Sequence, residues 1–214
     1  MHSLLTIITD LGDTALLIPL TLVLSFYFAV TGCGTVAAVF LGAVGVTGLL
    51  VVGLKMTLIG CGPEVPLFHV LSPSGHAAMS FVVYGLLAQV AALRLDRWRS
   101  RLLGGGVLAL LAAIGVSRVL LDCHSWQEVV IGAGLGAGIV ALCRRSLRVD
   151  PSSRLSPRGL ALLCLPVVIL LNGTRLPAEM VIRQYASLLR SEAPICQPES
   201  SGALALPLVR PPLG

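Results

Sequence analysis

The stretch LSPSGHAAMS, residues 71–80, places a glycine and an ionisable imidazole at the entrance of a long apolar run. The first N–H groups of a helix have no intrahelical partner, and the positive end of the helix dipole favours anions. We therefore expect Ser74 and Gly75 to open a helix that holds an anionic group such as phosphate. Gly75 removes the side chain that would keep an oxyanion from the backbone, and His76 could protonate a leaving oxygen.

A second polar stretch, SRVLLDCHSWQEVVIG, covers residues 117–132. His124 and Glu128 are four residues apart, so on a helix they share a face and can touch. A carboxylate bonded to one imidazole nitrogen fixes the tautomer and leaves the other nitrogen as a nucleophile. Asp122 could support His124 instead, but we interpret it as an exposed loop acid or a partner of Arg118.

Positive charge accompanies these two histidines. Arg118 carries a planar fork that can grip two oxygens of one anion, and Lys55 supplies a second cation. Two histidines in distinct roles around a cationic pocket are typical of phosphoryl transfer through a phosphohistidine. The pattern predicts His124 as the nucleophile and His76 as the proton donor.

The composition indicates a membrane protein. Of the 214 residues 56% are hydrophobic and only 12% are charged, and the mean hydropathy is +0.93. Soluble domains carry about twice that charged fraction. The first thirteen residues have no basic region and no cleavage site of small residues, so we interpret them as a short amphipathic lead-in rather than a signal peptide. Their acids, Asp10 and Asp13, are expected to cap the first helix.

Apolar segments of about 20 residues are long enough to span a bilayer. Five reach or approach this length, and Trp126 can extend the fifth to the interface; a sixth is marginal and contains Pro166. They are 11–30, 35–54, 75–93, 102–121, 129–143 and 159–172. We predict an all-α fold, a polytopic transmembrane bundle of five to six helices over residues 1–172. A tail with an amphipathic piece and a proline-rich end follows over 173–214.

Arginines set the expected orientation of the chain. Lys55 is the only lysine among fifteen basic residues, and arginines cluster at 94–101 and 144–158, after the third and fifth segments. These clusters lie between apolar segments, so they predict cytoplasmic loops rather than a nucleic-acid surface. The loops 55–74 and 122–128 then share the opposite face. Ionisable residues at membrane depth mark functional sites by default, and here they reach one level.

Glycines and cysteines have simpler interpretations. The glycine-rich run 131–140 follows no strand, so it does not predict a nucleotide site. Gly132 with Gly136, and Gly134 with Gly138, have the spacing that lets transmembrane helices approach closely. The six cysteines show no CxxC spacing, which argues against a metal site built on thiolates.

PSGH at 73–76, then Ser117-Arg118, five residues and His124, resembles the second and third motifs of the type 2 phosphatidic acid phosphatase superfamily. The resemblance covers about residues 50–140. It implies that His124 is the nucleophile, oriented by Glu128 where the family usually has aspartate, and that His76 is the general acid. The residues that it implies for holding the phosphate are Ser74, Gly75, Arg118 and Lys55, of which Lys55 opens the first motif.

The resemblance implies a phosphatase that acts on a lipid phosphate or diphosphate at the extracytoplasmic face of the cell (inner) membrane, facing the periplasm or outside. No metal or cofactor is expected. The expected partners are the substrate and membrane lipids, no nucleic acid, and, as an open option, further copies of the chain. Alternatives are a weakened or inactive relative that binds or transports a phospholipid headgroup, and a lipid phosphotransferase. A metal site on His124 and Glu128 would lack a third ligand.

The first motif departs from the family pattern. The family has an Arg-Pro pair six residues after the lysine, whereas this chain has Gly62-Pro63. Cys61 and Cys123 each precede a motif position by one residue. A disulfide between them could hold the two loops together where the arginine is absent, if both lie outside the cytoplasm.

Gly62→Arg is expected to raise phosphatase efficiency about ten- to a hundredfold, since one charge-assisted contact is worth roughly 1.5–3 kcal/mol. Phosphate release from lipid phosphates by the purified variant and the parent protein checks this. An unchanged or lower rate would show that the pocket is not built on the family plan.

Overall fold

The computed structural model describes residues 2–60, 72–147, 149, 153–174, 181, 182 and 185. These residues contain helices and no strand, so the predicted all-α fold is confirmed. In the described ranges the helices with defined bounds are α1 (His2–Asp10), α2 (Thr14–Val30), α3 (Gly34–Gly60), α4 (Gly75–Ala92), α5 (Arg97–Leu120), α6 (Trp126–Cys143) and α7 (Pro157–Leu171).

Helices α3, α4, α5 and α6 are each long and apolar enough to cross a membrane. α1 and α2 meet at a bend of 43°, and counting this bent pair as one segment brings the candidate spans of the described chain to at most five. The chain is therefore a multi-pass membrane protein, as the composition predicted. α7 has 15 residues, about 22 Å at 1.5 Å per residue, which is less than the roughly 30 Å of the hydrocarbon core.

Two helices extend five or more residues beyond the predicted segments. α3 continues to Gly60, so Lys55 lies inside a helix and not in a loop, because the next four residues are mostly apolar and contain no proline. α5 begins at Arg97, five residues before the predicted segment, because the Asp96 side chain accepts from the Arg99 N–H at 2.8 Å and caps the helix. Arginine side chains combine a long apolar stem with a charged end, so the first turn of α5 can lie in the membrane–water interface.

One end of the bundle, here called the arginine end, gathers the two arginine-rich segments. The Arg94 guanidinium donates to the Ser153 carbonyl oxygen at 3.3 Å, and the Arg154 N–H donates to the Thr31 carbonyl oxygen at 3.0 Å. These contacts join the C-terminal ends of α2 and α4 to the segment that leads into α7. The predicted placement of both clusters on one side is confirmed.

The opposite end, here called the site end, gathers the start of α2, the start of α4 and the turn between α5 and α6. α7 runs alongside α2 between the two ends. Near the start of α7, the Ser156 N–H donates to the Tyr27 hydroxyl at 3.4 Å. Near the end of α7, the Asn172 side chain donates to the Ile7 carbonyl oxygen at 3.4 Å.

Helix α4 lies at the centre, packed against α2, α3, α5 and α6. Its closest neighbour is α6, on the face that carries Gly132 and Gly136. A Cβ added to Gly136 would lie 2.5 Å from the Ala78 carbonyl oxygen, and one added to Gly132 would overlap the Ser74 carbonyl group. Glycine at both positions is therefore what permits this approach, and the prediction for that pair is confirmed.

The same prediction is wrong for Gly134 and Gly138. Both lie on the exposed face of α6, and a Cβ added to either would meet no heavy atom of the described chain within 4 Å. A helix has about 3.6 residues per turn, so glycines offset by two positions from the contact face point away from it.

Gly132→Ala and Gly136→Ala are each expected to lower the free energy of unfolding by about 1–3 kcal/mol, because the new methyl group forces α4 and α6 apart. Thermal unfolding in detergent measures this. Gly134→Ala and Gly138→Ala are the matched controls on the same helix, and they should be neutral or stabilising by about 0.5–1 kcal/mol. Equal destabilisation by all four variants would contradict the packing assignment.

Candidate active site

The residues before α4 are fixed to α6 by one acidic residue. The Ser74 N–H donates to the Glu128 carbonyl oxygen at 2.9 Å, and the Ser72 N–H donates to Glu128 Oε1 at 3.1 Å. The fully buried Ser74 hydroxyl accepts from the Ala77 N–H at 3.4 Å and caps α4. The predicted helix start is confirmed, and the phosphate-binding role of Ser74 stays a prediction.

The turn between α5 and α6 presents His124. Asp122 has a left-handed backbone, with φ of 52°, and is exposed, which fits its interpretation as a loop acid. The N–H groups of Cys123 and His124 then donate to the Arg118 carbonyl oxygen, at 3.0 and 3.3 Å. This closes the C-terminal end of α5 and directs the chain into the next helix.

His124 touches Glu128 as predicted, but for a different reason. His124 lies before the helix, whose N-cap is Ser125, so the two residues do not share a helix face. Glu128 instead folds back in a capping box, in which its Oε2 accepts from the Ser125 N–H at 2.9 Å and from His124 Nδ1 at 3.1 Å. The Ser125 hydroxyl completes the box by accepting from the Glu128 N–H.

Burial sets the protonation of the His124 ring. Loss of hydration lowers the pKa of His124 below its ordinary value of 6.5, and the charges of Lys55 and Arg118 act in the same direction, while the hydrogen bond to Glu128 opposes them. The ring is therefore neutral at neutral pH. Because the carboxylate only accepts, Nδ1 carries the hydrogen and Nε2 keeps its lone pair.

A cavity of about 150 Å³ opens among α2, α3, α4 and α5. Its described lining divides into a polar and an apolar part. The polar residues are Asp13, Thr14, Lys55, His76 and Arg118, and the others are Gly48, Val51, Val52, Gly75, Met79 and Ile182.

The two cations of this cavity, Lys55 and Arg118, are buried or partly buried in a way that suits an anionic ligand. Lys55 is 1% exposed, and the Nε of Arg118 is buried without a hydrogen-bond partner among the described residues. A buried guanidinium nitrogen without an acceptor is costly, so an anionic ligand at this position would complete its bonding. The lining therefore has the charge and the open donor that an oxyanion requires.

The predicted site residues come together at the site end of the bundle. Lys55, Gly75, His76 and Arg118 line the cavity, whereas Ser74 and the His124–Glu128 pair lie beside it. Lys55 and Arg118 line the same cavity as His76, and the Arg118 carbonyl oxygen accepts from the His124 N–H at 3.3 Å, so both histidines lie at this cationic end of the bundle. Their catalytic and binding roles stay predictions.

The sequence analysis missed three residues of the site. Asp13 caps α2 as expected, with Oδ1 accepting from the Ala15 N–H at 2.8 Å, but its Oδ2 also lies 3.5 Å from His76 Nε2. The Thr9 hydroxyl accepts from Arg118 Nη1 at 3.4 Å, and Ile182 lines the cavity from the tail. An acid inside an apolar first segment was the available signal for Asp13, because such acids seldom lie at membrane depth without a function.

Other predictions concern residues outside the described part of the chain, namely Gly62, Pro63 and Cys61. The Cys61–Cys123 disulfide stays a prediction, and Cys123 is exposed without a disulfide partner among the described residues. Asp10 ends α1 and does not cap α2. In the described ranges, no group of three or more His, Cys, Asp or Glu residues has an arrangement that could hold a metal ion.

Comparison with known proteins gives a family and one relative. The profile of the PAP2 superfamily matches residues 35–150, which contain both predicted motifs. A Klebsiella pneumoniae protein described as "Uncharacterized 22.5 kDa protein in cps region" is 30% identical over 149 residues, which cover 67% of this chain and 70% of that protein. No solved structure matches the chain significantly.

Glu128→Ala is expected to lower the free energy of unfolding by at least about 2 kcal/mol, because each buried donor that loses its acceptor costs roughly 1–3 kcal/mol. The donors that lose it are the Ser72 N–H, the Ser125 N–H and His124 Nδ1. Chemical unfolding in detergent measures the change. Gln127→Ala, next to it and exposed, is the control and should be within about 0.5 kcal/mol of the parent.

Proposed function

Because the chain belongs to the PAP2 superfamily, we propose that it is an integral-membrane phosphatase that hydrolyses a lipid phosphate or diphosphate through a phosphohistidine. The observation that carries this proposal is the cavity of about 150 Å³ at the site end. It combines two cations and a histidine with apolar walls, next to a histidine whose free nitrogen is unprotonated.

In the first step, His124 Nε2 attacks phosphorus and forms a P–N bond while the bond to the leaving oxygen breaks. Glu128 holds the Nδ1 hydrogen and stabilises the positive charge that develops on the ring. His76 gives a proton to the leaving oxygen, so the lipid departs as a neutral alcohol, or as a monophosphate when the substrate is a diphosphate.

In the second step, water attacks the phosphohistidine. His76, now unprotonated, takes a proton from the water, and the P–N bond breaks as inorganic phosphate forms. His124 returns to its neutral form and His76 to its protonated form, so each turnover consumes one water and leaves the enzyme unchanged.

Charge stabilisation in both steps comes from groups that are already in place. Lys55 and Arg118 line the cavity that would hold the phosphoryl group, and Arg118 Nε supplies a donor that has no acceptor among the described residues. The N–H groups at the start of α4 add to them, with Gly75 open to the cavity. Donors that are positioned before the reaction stabilise developing charge without reorganisation.

The apolar walls favour a lipid over a soluble phosphate ester. Val51, Val52, Met79 and Ile182 lie beside the cations, where the first atoms of a lipid chain would lie. The site end is opposite the arginine end, which the positive-inside rule assigns to the cytoplasm. We therefore assign hydrolysis to the extracytoplasmic face of the cell membrane.

The test measures phosphate release by the purified protein in detergent from phosphatidate, an isoprenyl diphosphate and a lipid A phosphate. A ³²P-labelled substrate also reveals the intermediate, since phosphohistidine is labile to acid and stable to base. We expect hydrolysis of at least one lipid and an acid-labile label after rapid quenching. His124→Ala should lose both, and Gln127→Ala, whose side chain is exposed, should keep both.

Binding of a phospholipid without phosphate release would instead identify a non-hydrolytic relative. Transfer of the label to a second lipid would identify a phosphotransferase that uses the same intermediate. Activity that survives in His124→Ala would overturn the proposed mechanism.

A further inference from the structure

Asp13 occupies a defined position at the break between α1 and α2. Its Oδ1 is held by the Ala15 N–H at 2.8 Å, which directs Oδ2 toward His76 Nε2 at 3.5 Å. The residue is 6% exposed and lines the cavity. The carboxylate thus has a fixed orientation and faces the ring that the proposed mechanism uses as general acid.

The turn between α1 and α2 is tightly packed, and this packing fixes the orientation of the Asp13 carboxylate. A Cβ added to Gly12 would lie 2.8 Å from Ile114 Cγ2 and 2.9 Å from Ser80 Oγ, which shows that the turn is pressed against α4 and α5. The Tyr84 hydroxyl also donates to the Leu11 carbonyl oxygen at 2.7 Å. Both contacts hold the turn on the helix that carries His76.

Charges from three elements face the His76 ring. Lys55 on α3 and Arg118 on α5 are positive, and Asp13 at the break is negative. The two cations are needed for phosphate, but by Coulomb's law they oppose a proton on a neighbouring imidazole. The Asp13 carboxylate, 3.5 Å from His76 Nε2, is placed to offset part of this repulsion when the ring carries a proton.

We propose that Asp13 is a positioning residue that orients His76 and stabilises the protonated form from which His76 gives a proton to the leaving oxygen. This inference rests on the proposed phosphatase function. The separation of 3.5 Å exceeds the 2.7–2.9 Å that is usual for a charge-assisted hydrogen bond. The Nε2 hydrogen is therefore held by charge without being committed to Asp13, so it remains available to a leaving oxygen.

If Asp13 supports proton donation by His76, its removal changes the kinetics in a way that a purely structural role would not. When the leaving oxygen is an alkoxide it needs a proton as the P–O bond breaks, whereas a 4-nitrophenolate leaves without one. Impaired proton donation therefore slows hydrolysis of an alkyl phosphate more than that of an aryl phosphate. A general disturbance of the fold slows both alike.

The experiment compares kcat/KM of Asp13→Asn and the parent protein for dodecyl phosphate and 4-nitrophenyl phosphate in the same detergent. Asparagine is as good an N-cap as aspartate, so the helix start is retained while the charge is removed. We expect a loss of at least about tenfold on the alkyl ester, within the roughly 10²–10⁴ that general acid catalysis contributes. The loss on the aryl ester should stay below about threefold.

Two controls accompany this comparison. Asp96→Asn removes the charge of another N-cap aspartate, on α5 near the arginine end, and should leave both rates unchanged. Asp13→Ser keeps a capping side chain without the carboxylate and should reproduce Asp13→Asn, with unfolding temperatures reporting that each variant is folded. In a His76→Ala background, Asp13→Asn should cause no further loss.

Equal losses on both esters, or no loss on either, would overturn the inference while the proposed function stands. A parent protein that hydrolyses neither ester nor any lipid phosphate would overturn both.

Discussion

The carboxylate of Glu128 is the interaction on which the site depends. An ionised group inside a membrane protein is costly unless its oxygens are hydrogen-bonded, and here Oε1 accepts from Ser72 while Oε2 accepts from Ser125 and His124. The acceptor belongs to α6, and its donors come from the segment before α4 and the turn before α6. Satisfying this one charge therefore brings together the two parts of the chain that contain the predicted motifs. Gly132, one turn further along α6, removes the side chain that would keep them apart.

A second set of polar contacts places the N-terminal break at the same level. Arg118 holds His124 through its carbonyl oxygen and reaches Thr9 through its guanidinium group, while Asp13 faces His76. The break between α1 and α2 is thus more than a local bend, because it puts Thr9 and Asp13 next to Arg118 and His76. Backbone that leaves the helix at membrane depth is tolerated where it lines a cavity, and this one does.

The two ends of the bundle differ in character. Arginines at one end are exposed or contact the backbone of neighbouring segments, as Arg94 does with Ser153, and they suit the headgroup region. At the other end Lys55 is fully buried and the Arg118 side chain is partly buried. Basic residues therefore differ in burial between the two ends, being exposed or bound to backbone at the arginine end and buried or partly buried at the site end. Apolar residues beside the buried cations make this end suited to a phosphate that carries a lipid chain.

The sequence by itself determined the helical membrane fold, the sidedness of the arginines and the set of residues around His76 and His124, because hydropathy, charge and motif spacing are properties of the chain. It also predicted the His124–Glu128 contact, but on the premise that both residues lie on one helix, whereas His124 precedes α6. Only the tertiary structure decided that a capping box makes this contact, that Lys55 lies within α3, and that Gly132 rather than Gly134 faces α4. It alone assigned Asp13 to His76, since 63 positions separate their numbers and no periodicity within one helix relates residues on different helices. Local pattern determines an element, whereas the partner of a side chain depends on how separate elements pack.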